Sequence, residues 1–258
     1  MGSADPTQDE LTVLVTGFGP FKQDFPVNPS WEIAKDLPKY LPPVRAKGAK
    51  TSRSSAPVVL PPVRLLVHPE AVRVNYQTVR ELVPKLWDLD RTAEPDRPKI
   101  DIAIHIGMAG PRPFYCIERQ GHRDGYAMKD VDNEFLRDQE RRVRQGKDWV
   151  WYDQPKELLT DFDLDDVLSR WKDNSADGLD LRISEDAGHY LCDFIYFSSL
   201  AHLHKAGERR NVVFLHVPCD SSEQSIATGK ELLLQLIRSI AESEVTRRAK
   251  LQASSTKK

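Results

Sequence analysis

The chain has 258 residues, 40% hydrophobic and 29% charged, with a formal net charge of -2. That length suits one large domain or two small ones, and the balanced charge gives no basic footprint for nucleic acid or an anionic membrane. Cys116, Cys192 and Cys219 are an odd count at wide spacing, with no CxxC or Cys/His cluster that would suggest zinc. We therefore expect free thiols, a cytoplasmic protein, no metal and no cofactor. Residues Met1–Glu10 lack the basic and apolar regions of a secretory signal, and no apolar run approaches a membrane span.

Leu11 to Thr16 (LTVLVT) is a β-branched apolar run and reads as a buried strand, ending in the turn Gly17-Phe18-Gly19-Pro20-Phe21. Asn28-Pro29-Ser30 leads into a helical pattern from Trp31 to Leu37, with Ser30 as a cap. Lys39 to Pro62, rich in Pro, Ser, Lys and Arg, reads as a long surface loop or insertion. Val63 to Val67 is a strand. Beyond Asn75, Val79, Leu82, Val83 and Leu86 share one helical face, with Pro84 inside it. Ile100 to Ile106 (IDIAIHI) is a central strand, and Tyr115 to Arg119 a shorter extended segment.

Asp130 to Asp161 reads as a second insertion. Its Glu134–Lys147 run is a solvated helix or loop, pinned to the body by Trp149, Trp151 and Tyr152. Asp163 to Trp171 is helical. Leu179 to Ile183 is a strand, followed by a sharp turn and a helix that carries Cys192 to about Lys205. Asn211 to Leu215 is a strand ending at His216, and Ser222 to Ala241 a long amphipathic helix. The basic stretch beyond it is expected to be a disordered tail. Strands alternating with helices imply a single three-layer α/β/α domain with a mostly parallel central sheet, spanning 11–243 between tails at 1–10 and 244–258.

In such folds the active groups gather at the carboxyl ends of strands. Cys192, in the first turns of its helix, would feel the positive end of the dipole, which favours thiolate. His216 ends an apolar strand and is a candidate base. Glu118, just after another strand end, is a candidate to orient it. By themselves these residues also read as a core cysteine, a strand-end histidine and an ion-paired glutamate. His105 lies within an apolar run and reads as a satisfied core histidine, His189 as an exposed neighbour of Cys192, and His202 as a further competitor for the base. Cys116 and Cys219 read as small structural residues. Phe18 and Phe21, in a glycine-proline loop at a strand end, are candidates to sandwich a flat uncharged ligand.

Four blocks in order resemble pyroglutamyl peptidase I, an omega cysteine peptidase family: Val15–Phe21 with Asn28–Ser30, His105 to Tyr126, Ser184–Asp193, and Phe214–Pro218. Tyr76–Val79 is a weaker match. The resemblance, closest to animal-type members, implies removal of an N-terminal pyroglutamyl residue from small peptides in the cytoplasm, without metal or cofactor. It implies a Cys192 nucleophile, a His216 base, a Glu118 orienter, and Phe18 and Phe21 around the lactam. Met108 stands where bacterial members carry a substrate-contacting glutamine, and Cys219 replaces a more usual second proline. Bacterial members are tetramers and animal members monomers, so a monomer with no membrane or nucleic-acid partner is expected. The alternatives are a silent homologue that binds modified N-termini or a partner, and a cysteine amidase of altered acyl specificity.

Overall fold

Strand β1 (Leu11–Gly17) is buried along its whole length, as an apolar run flanked by sheet on both sides requires. The computed structural model describes residues 10–22, 25–43, 58–88, 98–110 and 112–255. Asn28 caps the next element, α1 (Pro29–Ala34), by accepting the Ser30 amide, so the cap is Asn28 where Ser30 was expected. β2 (Val63–Val67) follows the 39–62 segment, whose residues 44–57 lie outside the described residues. α2 (Tyr76–Trp87) is capped by Asn75 and tolerates Pro84 in its last turn. β3 (Ile102–Met108), β4 (Tyr115–Glu118) and the short β5 (Gln120–His122) come next. The 130–161 insertion contains α3 (Asp138–Gln145) and β6 (Glu157–Leu159), and β6 pairs antiparallel with β5. Its Trp149 and Trp151 are buried, as expected of anchors. The chain then runs through α4 (Leu164–Asn174), β7 (Leu181–Ser184), α5 (Leu191–Lys205), β8 (Val212–Val217) and α6 (Glu223–Ser255).

The main sheet has the order β2-β1-β3-β8-β4-β7. All neighbours are parallel except β4 and β8, which are antiparallel. α1, α4 and α6 cover one face and α2 and α5 the other, which gives two separate apolar cores. The period-2 alternation sorts each strand between them. Val213, Leu215 and Val217 of β8 enter the α6 core, while Val212 and Phe214 enter the α5 core.

A second expectation fails. Residues 245–255 are not a disordered tail: α6 continues to Ser255. Ser243 and Glu244 are buried, and Glu244 is held by Arg209 at 2.7 Å and by Arg247 at 2.9 Å. A polar helical stretch extends here because ion pairs anchor its base to the body, which residue-by-residue hydropathy does not register. Among the described residues no helix is long and apolar enough to cross a membrane.

Candidate active site

Alternation along three strands assembles the site. On β8, His216 shares the parity of Val212 and Phe214 and therefore faces α5. On β4, Cys116 and Glu118 have the opposite parity to the α6-core residues Tyr115 and Ile117, and on β3 so does Gly107 relative to Ile106. Register sets Gly107 beside His216 on one side and Cys116 beside it on the other. The His216 Nδ1–H donates to Glu118 Oε1 at 2.7 Å. Glu118 is fully buried and His216 is 5% exposed, so water competes little with this pair. The Cys116 thiol donates to the same Oε1 at 3.4 Å, and Tyr196 Oη–H donates to the Glu118 carbonyl at 2.9 Å. Glu118 Oε2 has no hydrogen-bond partner among the described residues.

Cys192 reaches this place from above. Tyr190 precedes the first turn of α5, so Leu191 and Cys192 supply first-turn N–H groups that have no intrahelical acceptor. Their shared helix lies over β3 and β8, and Gly107 makes the close approach possible: a Cβ there would fall 2.7 Å from Cys192 Sγ and 2.7 Å from the Phe214 ring. The nucleophile candidate therefore rests on the backbone position registered with His216.

The electrostatics differ from the sequence expectation of a thiolate. Burial pushes the Cys192 thiol up, and the Glu118 and Asp193 carboxylates push it further, while its own backbone amide and Arg112 pull it down less. The helix amides are outweighed by desolvation, so the resting group is the thiol.

Beside Cys192 lies a cavity of about 100 Å³, walled by Phe18, Phe21, Phe25 and Tyr190, with Met108 and Cys219 on its lining. The Asn28-Pro29-Ser30 segment shapes it. Phe18 N–H donates to Ser30 Oγ at 3.0 Å, and Asn28 Nδ2–H donates to the Gly19 carbonyl at 2.9 Å. Phe18 is only 3% exposed, because its ring belongs to the α5 core as well as to the cavity wall. Phe21 packs edge-on to Tyr190 at 5.7 Å between centroids. The 130–161 insertion begins at this rim: the Lys129 carbonyl accepts the Tyr190 hydroxyl at 3.1 Å, and Asp130 accepts Asn75 Nδ2–H at 2.8 Å.

A family model described as pyroglutamyl peptidase matches residues 89–236, a stretch that includes Glu118, Cys192 and His216. Human pyroglutamyl-peptidase 1 is 32% identical over 211 residues, 82% of this chain and 80% of its own length. The chain is a member of the pyroglutamyl peptidase family. The pyrrolidone-carboxylate peptidase of Thermococcus kodakarensis is 25% identical, with 88% of this chain and 91% of that one covered. The fold is shared with the crystal structure of pyrrolidone carboxyl peptidase from Pyrococcus furiosus, at a TM-score of 0.59 and 23% identity, over 92% of this chain and 99% of that one.

Within this member of the family, the three histidines that competed for the base are held by other groups. His105 is fully buried between Thr16 Oγ1 and Ser199 Oγ, both at 2.8 Å, and burial pushes its pKa down to about 3. It is the core histidine that its apolar context suggested. His202 pairs with Asp88 at 3.0 Å, and His189 donates to the Asp124 carbonyl at 3.0 Å. Cys116, read as structural, is fully buried but touches the Glu118 carboxylate; burial and Glu118 push its thiol up to about 12. Cys219, also read as structural, lines the cavity. Phe25 and Tyr190 were missed as cavity walls. For Tyr190 a signal existed, since an aromatic residue just before a helix-borne cysteine projects beside the thiol. For Phe25 none did, because its place depends on the pairing of Phe21 with Phe25.

Proposed function

We propose that the chain is a cysteine omega-peptidase that hydrolyses the bond after an N-terminal pyroglutamyl residue. Cys192 is the nucleophile, His216 the base and Glu118 the group that orients it. The observation that carries this reading is the Glu118–His216 pair at 2.7 Å, with His216 in register beside Gly107, the β3 position against which Cys192 Sγ packs. Cys116 also lies near the pair, but it is fully buried and is not part of the aromatic cavity's lining, whereas Cys192 opens onto that cavity. Of the two thiols near the pair, Cys192 is therefore the one a substrate can reach.

The chemistry follows from the charge states. Because Cys192 rests as a thiol, attack on the acyl carbonyl requires transfer of its proton to His216 Nε2, while Nδ1–H stays on Glu118. The imidazolium so formed is stabilised by the buried carboxylate. The tetrahedral oxyanion is placed to accept the free first-turn N–H groups of α5. His216 then protonates the departing peptide amine, and a water deprotonated by His216 cleaves the thioester. Protons and electron pairs balance within the triad, so the sequence of steps calls for no cofactor.

The acyl pocket fits a neutral lactam. Among the described residues its lining carries no carboxylate, so a free α-ammonium would be desolvated without a countercharge. Its size, well below the roughly 300–1,000 Å³ of drug-sized clefts, suits one small ring, with Phe18, Phe21, Phe25 and Tyr190 offering π-faces and edges. Met108 contributes apolar contact only, so lactam recognition rests on these walls and on backbone groups. Small peptides as substrates, a monomeric state and a cytoplasmic setting complete the proposal; the three free thiols support a reducing compartment. Light scattering of the purified chain tests the monomer.

The deciding experiment is turnover of a pyroglutamyl amide reporter before and after iodoacetamide, beside a prolyl and a glutaminyl reporter. Turnover confined to the pyroglutamyl substrate and lost on alkylation of Cys192 supports the proposal. Turnover of the other acyl groups points to an altered amidase. Peptide binding without turnover points to a silent homologue, a reading that the protonated Cys192 keeps open.

A further inference from the structure

A second histidine–carboxylate cluster lies outside the proposed machinery, on the flank of the same helix. Asp193 follows Cys192 and is fully buried. Its Oδ1 accepts the His122 backbone N–H at 2.9 Å, and its Oδ2 lies 3.0 Å from His122 Nδ1 and 3.6 Å from His189 Nδ1. Two imidazoles thus converge on one carboxylate oxygen, their rings 4.7 Å apart. The His189 ring is seated over Gly125, which has φ +101 and where a Cβ would fall 2.7 Å from His189 Nδ1. No other residue type leaves that ring its place.

We propose that His122, His189 and Asp193 form a three-ligand site for a divalent transition-metal cation of the zinc class. Bonds of about 2.0–2.1 Å in a tetrahedron put neighbouring donor atoms about 3.3–3.4 Å apart. The two nitrogen–oxygen separations here, 3.0 and 3.6 Å, bracket that value, and one donor atom from each residue lies within 4.8 Å of the others. Two imidazoles and one carboxylate are a donor set that suits zinc, with a fourth position open to water. The ligating carboxylate already has the supporting hydrogen bond such sites use, from the His122 amide to Oδ1. On binding, the cation replaces two contacts, His122 with Asp193 and His189 with the Asp124 carbonyl. The neighbouring Asp124 carboxylate is occupied by Arg123 and Arg142, which keeps those cations paired and off the donor atoms. His189 is half exposed and gives the entry path. Occupancy would tie β5 and the loop after it to the first turn of α5, one residue from Cys192.

The test uses the full chain with Cys192→Ala and Cys219→Ala, so that neither cavity thiol takes the metal, and cobalt(II) and zinc(II) as probes. We expect one equivalent of cobalt to give the visible bands of a tetrahedral nitrogen/oxygen site, zinc to displace it, and zinc to raise Tm. Adding His189→Ala weakens binding by at least about tenfold and removes the Tm rise, with the metal-free Tm unchanged because that ring is half exposed; His122→Gln does the same for binding. Metal binding that survives His189→Ala, or that His216→Ala removes instead, overturns the proposal, as does no cobalt spectrum at all. A thiolate-to-cobalt band would place the metal at Cys116 and also overturns it.

Discussion

Two histidines on adjacent strands, His105 on β3 and His216 on β8, face the same helix and differ in what surrounds them. His105 lies one turn of the pleat deeper, between the hydroxyls of Thr16 and Ser199, with no acidic partner. Burial without a countercharge makes the imidazolium costly, and its pKa falls to about 3. His216 lies at the strand end, where its Nδ1–H donates to the buried Glu118 carboxylate. Depth along a strand and the charge of one neighbour separate a packing residue from a proposed base, although both read as histidines in apolar runs.

The largest effects should come from breaking the reactive side of this comparison. Cys192→Ala and His216→Ala should each lower kcat/KM for a pyroglutamyl amide by roughly 10⁴-fold or more, with the denaturation midpoint little changed for Cys192→Ala. Cys116→Ala should cost no more than about tenfold, the worth of one weak hydrogen bond to Glu118; an inactive Cys116 variant beside an active Cys192 variant would reverse the assignment of the nucleophile. Glu118→Gln should lower kcat by roughly 10²–10⁴-fold, since the amide holds the ring without stabilising its charge, and a pH–rate profile would show the change in the base. Phe21→Ala should lower kcat/KM by roughly ten- to a hundredfold through lost contact with the lactam, read in the pyroglutamyl reporter.

The smallest effect on chemistry belongs to His105. His105→Gln should leave kcat/KM per folded molecule intact and change only stability. The ring is neutral when folded and takes a proton in the unfolded chain below about pH 6.5. Its contribution is therefore full above that pH and is lost as pH falls from about 6.5 towards about 3. Urea melts at pH 7 and pH 4.5 should show the wild type losing on the order of 1–3 kcal/mol more than the Gln variant. Equal losses would show that His105 does not titrate as its surroundings imply.

Much of the architecture was legible because apolar periodicity is a local signal. The runs at Leu11, Val63, Ile100, Asn211 and Leu179 are the strands β1, β2, β3, β8 and β7 within a few residues. The ribbon of β5 and β6 was not legible, since strands of three residues carry no period. The length of α6 was also missed, because its end is held by Arg209 and Arg247 on Glu244 and not by an apolar face.

The sequence by itself determined the order of elements, the strand ends where chemistry gathers, and the family, through Cys192, His216 and Glu118 in their motif blocks. Only the tertiary structure decided that β4 runs antiparallel to β8, and so brings Cys116 level with His216 and Glu118 level with Phe214. It alone decided that Cys192 is held as a thiol and not as the thiolate its helix position suggested. The reason is one of range. A helix dipole acts along the local chain and can be read there, whereas desolvation and the Glu118 carboxylate act across the packed interface of α5 with the sheet.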